Sequence, residues 1–486
     1  MSDKPPLNFT SSPLSGLIRR APAYCAPDTP VRAVLQSMRD QGIGSMIVCS
    51  AERAPLGIFT VQDALTRVAL GGVTLDAPIS AVMSEGLALL APEASAYDAA
   101  LLMAARGIHH IVVVDRGRLA GIVSERDLFG RLGASPREVG NSVRNATTAA
   151  QLHRAGAEIR RLAHEMLEQG VGAAQVTQML STLNDLLTQR IIALEFAQAA
   201  LGDIRFCWIS MGSEGRHEQT FNSDQDNGIV FALPEGVAAD EVRKKLLPAA
   251  KRVNRQLAAC GFALCRGNIM ASNRECCLSM AEWRNRFADW VDRGDPQALL
   301  NATIFFDFRA LHGAAELADE LREWLHQYAP NNSRFLLQMT QNALGNQPPL
   351  GLVRDFVFPD NVAHPHTLDL KVNGVTPFVD AARILALAAG VTATNTPQRL
   401  RLAAKRLRLK PAVVDAWIEA FHFIQFLRLR HQDAQARARR PLDNLVDPDD
   451  LNELDRRILR ESMRQARKLQ QRLARERSVS ESGFGA

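Results

Sequence analysis

At 486 residues the chain is too long for a single hydrophobic core and should divide into two to four domains. With 47% hydrophobic residues, 22% charged residues and a formal net charge of +5, its composition is that of an ordinary globular protein and does not argue for nucleic acid as a partner. The 7 cysteines form no C-x-x-C pair and no apolar run reaches transmembrane length, so neither a disulfide framework, a zinc finger nor a membrane span is expected, and reduced thiols in the cytoplasm are the simplest reading.

Residues 1–19 are expected as a tail, because prolines in MSDKPPLNFTSSPLSGLIRRAP break the apolar core that a signal peptide needs. A repeat follows, over 20–76 and 77–138. MRDQGIGSMIVCSAERAPLGIFTVQDAL starts at Met38 and MAARGIHHIVVVDRGRLAGIVSERDL at Met103. Gly42 aligns with Gly107, Gly57 with Gly121, Thr60 with Ser124 and Asp63 with Asp127. Each unit predicts a helix, a β-branched strand (Ser45–Cys49; Ile111–Val114), a turn, a short strand (Leu56–Phe59; Leu119–Val123) and a helix. Thr/Ser-x-x-Asp at each helix start reads equally well as a capping arrangement. His109 and His110 fall at a strand start and are read as structural.

The two units resemble a tandem pair of cystathionine-β-synthase (CBS) domains over about residues 20–135. The resemblance implies an adenine nucleotide, with Thr60, Asp63, Ser124 and Asp127 contacting its phosphate and ribose, although some CBS pairs bind nothing. It also implies a homodimer. A hydroxyl at a helix start suits a phosphate, because unpaired backbone N–H groups lie beside it.

From Thr147 the apolar residues fall at helical spacing, as in Leu183, Leu186, Leu187, Ile191 and Leu194, with a break expected at Gly170–Gly172. The strand IRFCWIS then runs into MGSEGRHEQTFNSDQDNGIVF. Residues i and i+2 of a strand share a face, so Asp224 and Asp226 should project together with Gln225 opposite. Two such carboxylates make an oxygen-rich site for Mg²⁺ or Mn²⁺, which completes its shell with water and phosphates. Gly212 permits close approach of a triphosphate, Ser213 supplies a hydroxyl, and Arg216 is expected to add a charge-assisted bond. The competing reading is a turn, with NSD as an Asx cap.

Strand, Gly-Ser, short helix and Asp-x-Asp together resemble the polymerase β-like nucleotidyltransferase superfamily. GSEGRHEQTFNSDQDNGIVF looks closest to nucleotidyltransferases related to the PII-protein uridylyltransferase, a family often fused to CBS pairs. GNIMASNRECCLSMAEWRNRFADWV, IFFDFRALHG and DLKVNGVTPFVDAARILALAAG extend the likeness over roughly Gly16 to Leu473. It implies an α+β multidomain chain: the tandem CBS pair, a helical linker and a small mixed-sheet domain over 147–300, a helical C-terminal domain over 301–475, and a disordered tail over 476–486. It also implies transfer of a nucleoside monophosphate from NTP–Mg²⁺ to a hydroxyl acceptor, a protein among the candidates.

Many active members use a third carboxylate on a later strand, but CGFALCRGNIM offers none. Asp307 is read as an ion-pair partner for an arginine such as Arg309, outside the site. No histidine precedes an aspartate, so a hydrolytic His-Asp domain is not expected. The basic stretches Arg399–Lys410 and Arg428–Arg440 are read as solvated helix faces. The alternative to an enzyme is a catalytically silent, nucleotide-sensing signalling or scaffold protein.

Overall fold

A computed structural model describes residues 13–18, 21–106, 108–124, 127–128, 135–199, 201–351, 356–358 and 364–482, with side chains as far as 476. The chain divides into two compact units, Met1–Ser142 and Val143–Ala486. Most of the expected tail 1–19 lies outside the described residues.

In the first unit the sequence repeat becomes a structural one. Strands β1 (Tyr24–Cys25), β2 (Ser45–Cys49) and β3 (Pro55–Thr60) lie in that order, β1 parallel and β3 antiparallel to β2. Strands β4 (Leu89–Leu90), β5 (His110–Asp115) and β6 (Arg118–Ser124) repeat the plan. A helix precedes each central strand, Val31–Gln41 before β2 and Ala96–Arg106 before β5. The β-branched run SMIVC is buried along nearly its whole length, as a central strand requires. Helix Val31–Gln41 turns Val31, Val34 and Met38, spaced three and four apart, onto that core. His110 starts β5, and burial lowers its pKa to about 4, so it sits there neutral.

The second unit opens with helices Ala149–Glu168 and Ala173–Phe196, broken at Gly170, whose φ of 76° suits only a residue without a side chain. Next comes a mixed sheet of β7 (Phe206–Ser210), β8 (Asn227–Phe231), β9 (Cys277–Ser279) and β10 (Arg309–Gly313), in the order β10-β7-β8-β9. β7 runs antiparallel to both neighbours, and β9 is parallel to β8 across a connection that includes helix Ala239–Ala259. The sheet therefore takes an edge strand from beyond residue 300, inside the segment expected as the helical C-terminal domain. β10 is five residues long and irregular between Ala310 and His312, too short and interrupted to announce itself by alternation.

Helices Thr376–Ala388, Thr396–Arg406, Pro411–Arg437 and Glu453–Ser482 follow. One continuous apolar core runs from β7 residues Cys207 and Ile209 to Leu473 of the last helix. That helix extends to Ser482, through most of the segment expected as a disordered tail. No helix among the described residues is long and apolar enough to cross a membrane.

Candidate functional site

β7 ends at Ser210, and the chain makes a single helical turn at Gly212–Gly215 before returning along β8. Met211 N–H donates to the Asp226 carbonyl at 2.8 Å, so the turn is fastened to the Asp-x-Asp segment. Gly212 has φ 55°, and a Cβ built there would stand 2.8 Å from Asp226 Oδ2. The glycine is thus needed twice, for its backbone conformation and for the space the carboxylate fills.

Asp224 and Asp226 lie just before β8 rather than within it. Asp224 forms an isolated parallel bridge with Ala263, and Gln225 N–H donates to the Ala263 carbonyl at 2.9 Å. Gln225, between the two, points inward, and its amide donates to the Asn254 and Phe262 carbonyls at 3.0 and 3.1 Å. Asn254 Nδ2 in turn reaches Gln225 Oε1 at 2.8 Å and Asn227 Oδ1 at 3.0 Å, and Asn227 Oδ1 also accepts from Ala271 N–H at 2.8 Å. This buried amide network holds the segment after residue 262 beside the two aspartates. Its only signal in the sequence is Asp-Gln-Asp-Asn, a polar run in front of an apolar strand.

The network brings in Cys265. Asp224, Asp226 and Cys265 each offer a ligand atom within 4.8 Å of the other two, the one such group of these residue types among the described residues. The donor set fits a divalent cation, which turns mutual repulsion between the carboxylates into shared attraction. In the metal-free state Asp226 is pushed up to about 7, first by burial and then by the charge of Asp224. Burial and Asp226 likewise push the Cys265 thiol up to about 11. Within the turn, Glu214 is buried, accepts from Ser210 Oγ at 2.9 Å and has its pKa raised to about 8, chiefly by burial.

Arg216 does not extend toward a phosphate. Its guanidinium donates to Glu218 Oε2 at 2.8 Å and to Asp307 Oδ2 at 2.7 Å. Asp307 is fully buried and also accepts from Arg383 at 2.7 and 3.0 Å and from Arg399 at 2.6 Å. Burial alone would raise its pKa, but the three guanidiniums hold it below the usual carboxylate range. The expected partner of Asp307, Arg309, pairs instead with Asp185 at 2.6 Å. Arg399, expected on a solvated face, is 2% exposed, and Arg428 is 5% exposed. Arg383 and Arg399 fasten the C-terminal helices to the turn through Asp307 and Arg216, whereas Arg428 bonds to Gln425 and Asn444. Alongside them, Thr394 Oγ1 donates to the Gly215 carbonyl at 2.8 Å, Asn395 Nδ2 to the Arg216 carbonyl at 3.0 Å, and Thr396 N–H to Glu218 Oε1 at 2.7 Å.

In the first unit, Thr60 and Asp63 form a closed capping box: Thr60 Oγ1 and N–H donate to Asp63 Oδ2 at 2.7 and 2.9 Å. Asp63 is 8% exposed, and its other oxygen accepts from Ser84 Oγ at 2.9 Å. Ser124 and Asp127 repeat the contact at 2.5 and 2.9 Å, with Asp127 exposed. Ser95 and Asp98 make the same pair of bonds at 2.7 and 2.9 Å ahead of another helix. Geometry alone therefore accounts for all three pairs as caps.

Against models of known families, CBS domain models match residues 14–70 and 79–134. The model described as "Putative nucleotidyltransferase DUF294" matches residues 157–297, and "Putative nucleotidyltransferase substrate binding domain" matches 333–476. The chain belongs to the DUF294 family and carries a CBS pair. The DUF294 model ends before β10, so the structure adds an edge strand that lies between the two family segments.

Among curated relatives, the chain is 30% identical over 106 residues to the uncharacterized protein MK0525 of Methanopyrus kandleri, covering 21% of this chain and 54% of that protein. It is 34% identical over 89 residues to the arabinose 5-phosphate isomerase GutQ of Escherichia coli, covering 18% and 27%. The chain thus spans about half the length of the first relative and about a quarter of the second. Among solved structures, a CBS domain protein, PAE2072 of Pyrobaculum aerophilum complexed with AMP, is 25% identical, covers 24% of this chain and 91% of that one, and has a TM-score of 0.23.

Proposed function

We propose that this DUF294 protein transfers a nucleoside monophosphate from an NTP to a hydroxyl acceptor, in the manner of a uridylyltransferase acting on a protein. The observation that carries this reading is the convergence of Asp224 and Asp226 on the Gly212–Ser213 turn. In the reaction the acceptor oxygen bonds to the α-phosphorus, the bond from that phosphorus to the β-phosphate oxygen breaks, and pyrophosphate leaves. The acceptor proton passes to a carboxylate oxygen of the pair. A bound Mg²⁺ or Mn²⁺ would supply charge neutralisation at the phosphates. The chain's own residues do the positioning: Gly212 lets the backbone approach the triphosphate, Ser213 offers a hydroxyl to it, and Asp224 and Asp226 would hold the cation, since bare carboxylates would repel the phosphates. Arg216 acts from behind, as a brace for the turn through Glu218 and Asp307.

We further propose that the CBS pair binds an adenine nucleotide through Thr60, Asp63, Ser124 and Asp127 and biases the transferase unit, that the chain works as a homodimer, and that it is cytoplasmic. The matches to CBS models over 14–70 and 79–134 support the nucleotide reading.

One observation favours a second reading, a silent nucleotide-sensing scaffold: the group beside the two aspartates is a thiol, Cys265, and not the third carboxylate that many active members of the resembled superfamily use. Incubating the purified protein with labelled NTPs, Mg²⁺ or Mn²⁺ and cell extract separates the two. Labelling of an acceptor by the parent but not by Asp224→Asn supports transfer. Metal-dependent nucleotide binding without any labelled product leaves the scaffold.

A further inference from the structure

The proposal that follows rests on the metal-dependent nucleotide reading above and sharpens it. Cys265 is brought to the aspartates by backbone register. Asp224 bridges Ala263 in parallel, and two residues further along each of the two segments stand Asp226 and Cys265. Asp226 follows Gln225, whose side chain is tied to Asn254 and Phe262, and the turn after Cys265 is closed by Asn268 N–H donating to the Cys265 carbonyl at 3.0 Å. Both flanks of the pairing are thus held. Cys265 is half-buried, like both aspartates, so an ion and its remaining water or phosphate ligands have access. The other cysteines of this unit, Cys207, Cys260, Cys276 and Cys277, are buried and stand outside any such cluster among the described residues.

We propose that Cys265 is the third protein ligand of this site, and that the site therefore takes a borderline-soft divalent cation such as Zn²⁺ or Co²⁺ in preference to Mg²⁺. Magnesium demands an oxygen octahedron and gives up water reluctantly. A thiolate is a soft ligand and selects zinc-like ions. Two carboxylates and one thiolate give three protein ligands, leaving open positions for a nucleotide phosphate and water, as an open zinc site does. Binding exchanges the thiol proton for the metal, so one proton goes to solvent per ion bound at sulfur.

The test is Co²⁺ titration of the full chain, with and without a non-hydrolysable NTP, read by thiolate-to-cobalt charge-transfer absorption. Zn²⁺ and Mg²⁺ competition is measured alongside. The parent should show the sulfur band. Cys265→Ser should lose it and bind Zn²⁺ roughly tenfold or more weakly, at least the scale seen when a supporting residue of a metal site is removed. Cys265→Asp should also lose the band but gain Mg²⁺ affinity, and this second variant guards against a serine variant that simply folds poorly. If the parent binds metal with nucleotide but shows no sulfur band, and Cys265→Ser binds Zn²⁺ as tightly, the cysteine is not a ligand and the two-carboxylate reading stands alone. If the parent binds no divalent cation in either condition, the metal-dependent reading falls, and this inference with it.

Discussion

Gly212 and Asp226 are in contact across the turn: a Cβ at 212 would meet Asp226 Oδ2 at 2.8 Å, on a backbone held at φ 55°. Gly212→Ala should therefore do two things at once. The left-handed backbone alone costs about 1–2 kcal/mol for a residue with a side chain. The methyl also displaces the carboxylate, so metal-dependent nucleotide binding should fall further than that of a stability-matched variant elsewhere. Denaturant unfolding and calorimetry on the same preparation measure both.

Asp224→Asn and Asp226→Asn, singly and together, should abolish metal-dependent nucleotide binding while thermal stability without metal stays level or rises. The reason is that crowded carboxylates cost the metal-free protein stability. Equal metal-dependent affinity in parent and double variant would mean the aspartates are not a metal site.

The contribution of two buried carboxyls to the pH dependence has a definite sign. Asp226 and Glu214 have folded pKa values of about 7 and about 8, above their ordinary values of 3.8 and 4.5. Between those limits the folded state holds protons that the unfolded chain has released, so the share of metal-free stability that these two carboxyls contribute falls as pH rises from about 4 to about 8, while the buried histidines His110, His217, His326 and His422, whose pKa values burial lowers from 6.5, contribute in the opposite sense below about 6.5. Asp307 acts oppositely but below this window, because its pKa is lowered. Asp226→Asn should flatten the slope up to pH 7 in a melting series. A variant whose stability follows the same pH dependence as the parent would contradict the raised value of Asp226.

Asp307→Asn would strip the counter-charge from three buried guanidiniums, those of Arg216, Arg383 and Arg399. Breaking a buried ion pair by removing one partner costs about 3–5 kcal/mol, and a loss of at least that size is expected in denaturant unfolding. Arg399→Met, which removes one of three partners and leaves Asp307 paired with the others, should cost less.

At the CBS pair, an adenine nucleotide that binds only the folded state should raise the melting temperature of the parent. Asp127→Ala removes an exposed carboxylate and should reduce that shift with little effect on the unliganded protein. Asp63→Ala opens a capping box and the Ser84 contact, so it should also lower the unliganded melting temperature, by an amount corresponding to about 1 kcal/mol for a cap. A nucleotide shift of full size in an Asp63→Ala/Asp127→Ala double variant would mean that the nucleotide is held elsewhere.

What the sequence determined alone is what short-range pattern encodes. The CBS repeat is legible because duplicated glycines, β-branched strands and Thr/Ser-x-x-Asp recur in one order. The Gly-Ser turn and the two aspartates are legible because glycine favours that left-handed backbone and because residues i and i+2 share a face. The partners across the fold were decided by tertiary structure. Arg216 and Arg399 lie 91 and 92 residues from Asp307 on either side of it, so nothing local told a buried counter-ion from a phosphate ligand or a solvated helix face. Cys265 looks like any small apolar residue in CGFALCRGNIM until the Ala263 bridge sets it level with Asp226. The edge strand β10 likewise exists only because β7 offers it a ladder. A charge or a strand edge is costly to bury unpaired, and which distant group satisfies it is settled by packing, which periodicity does not record.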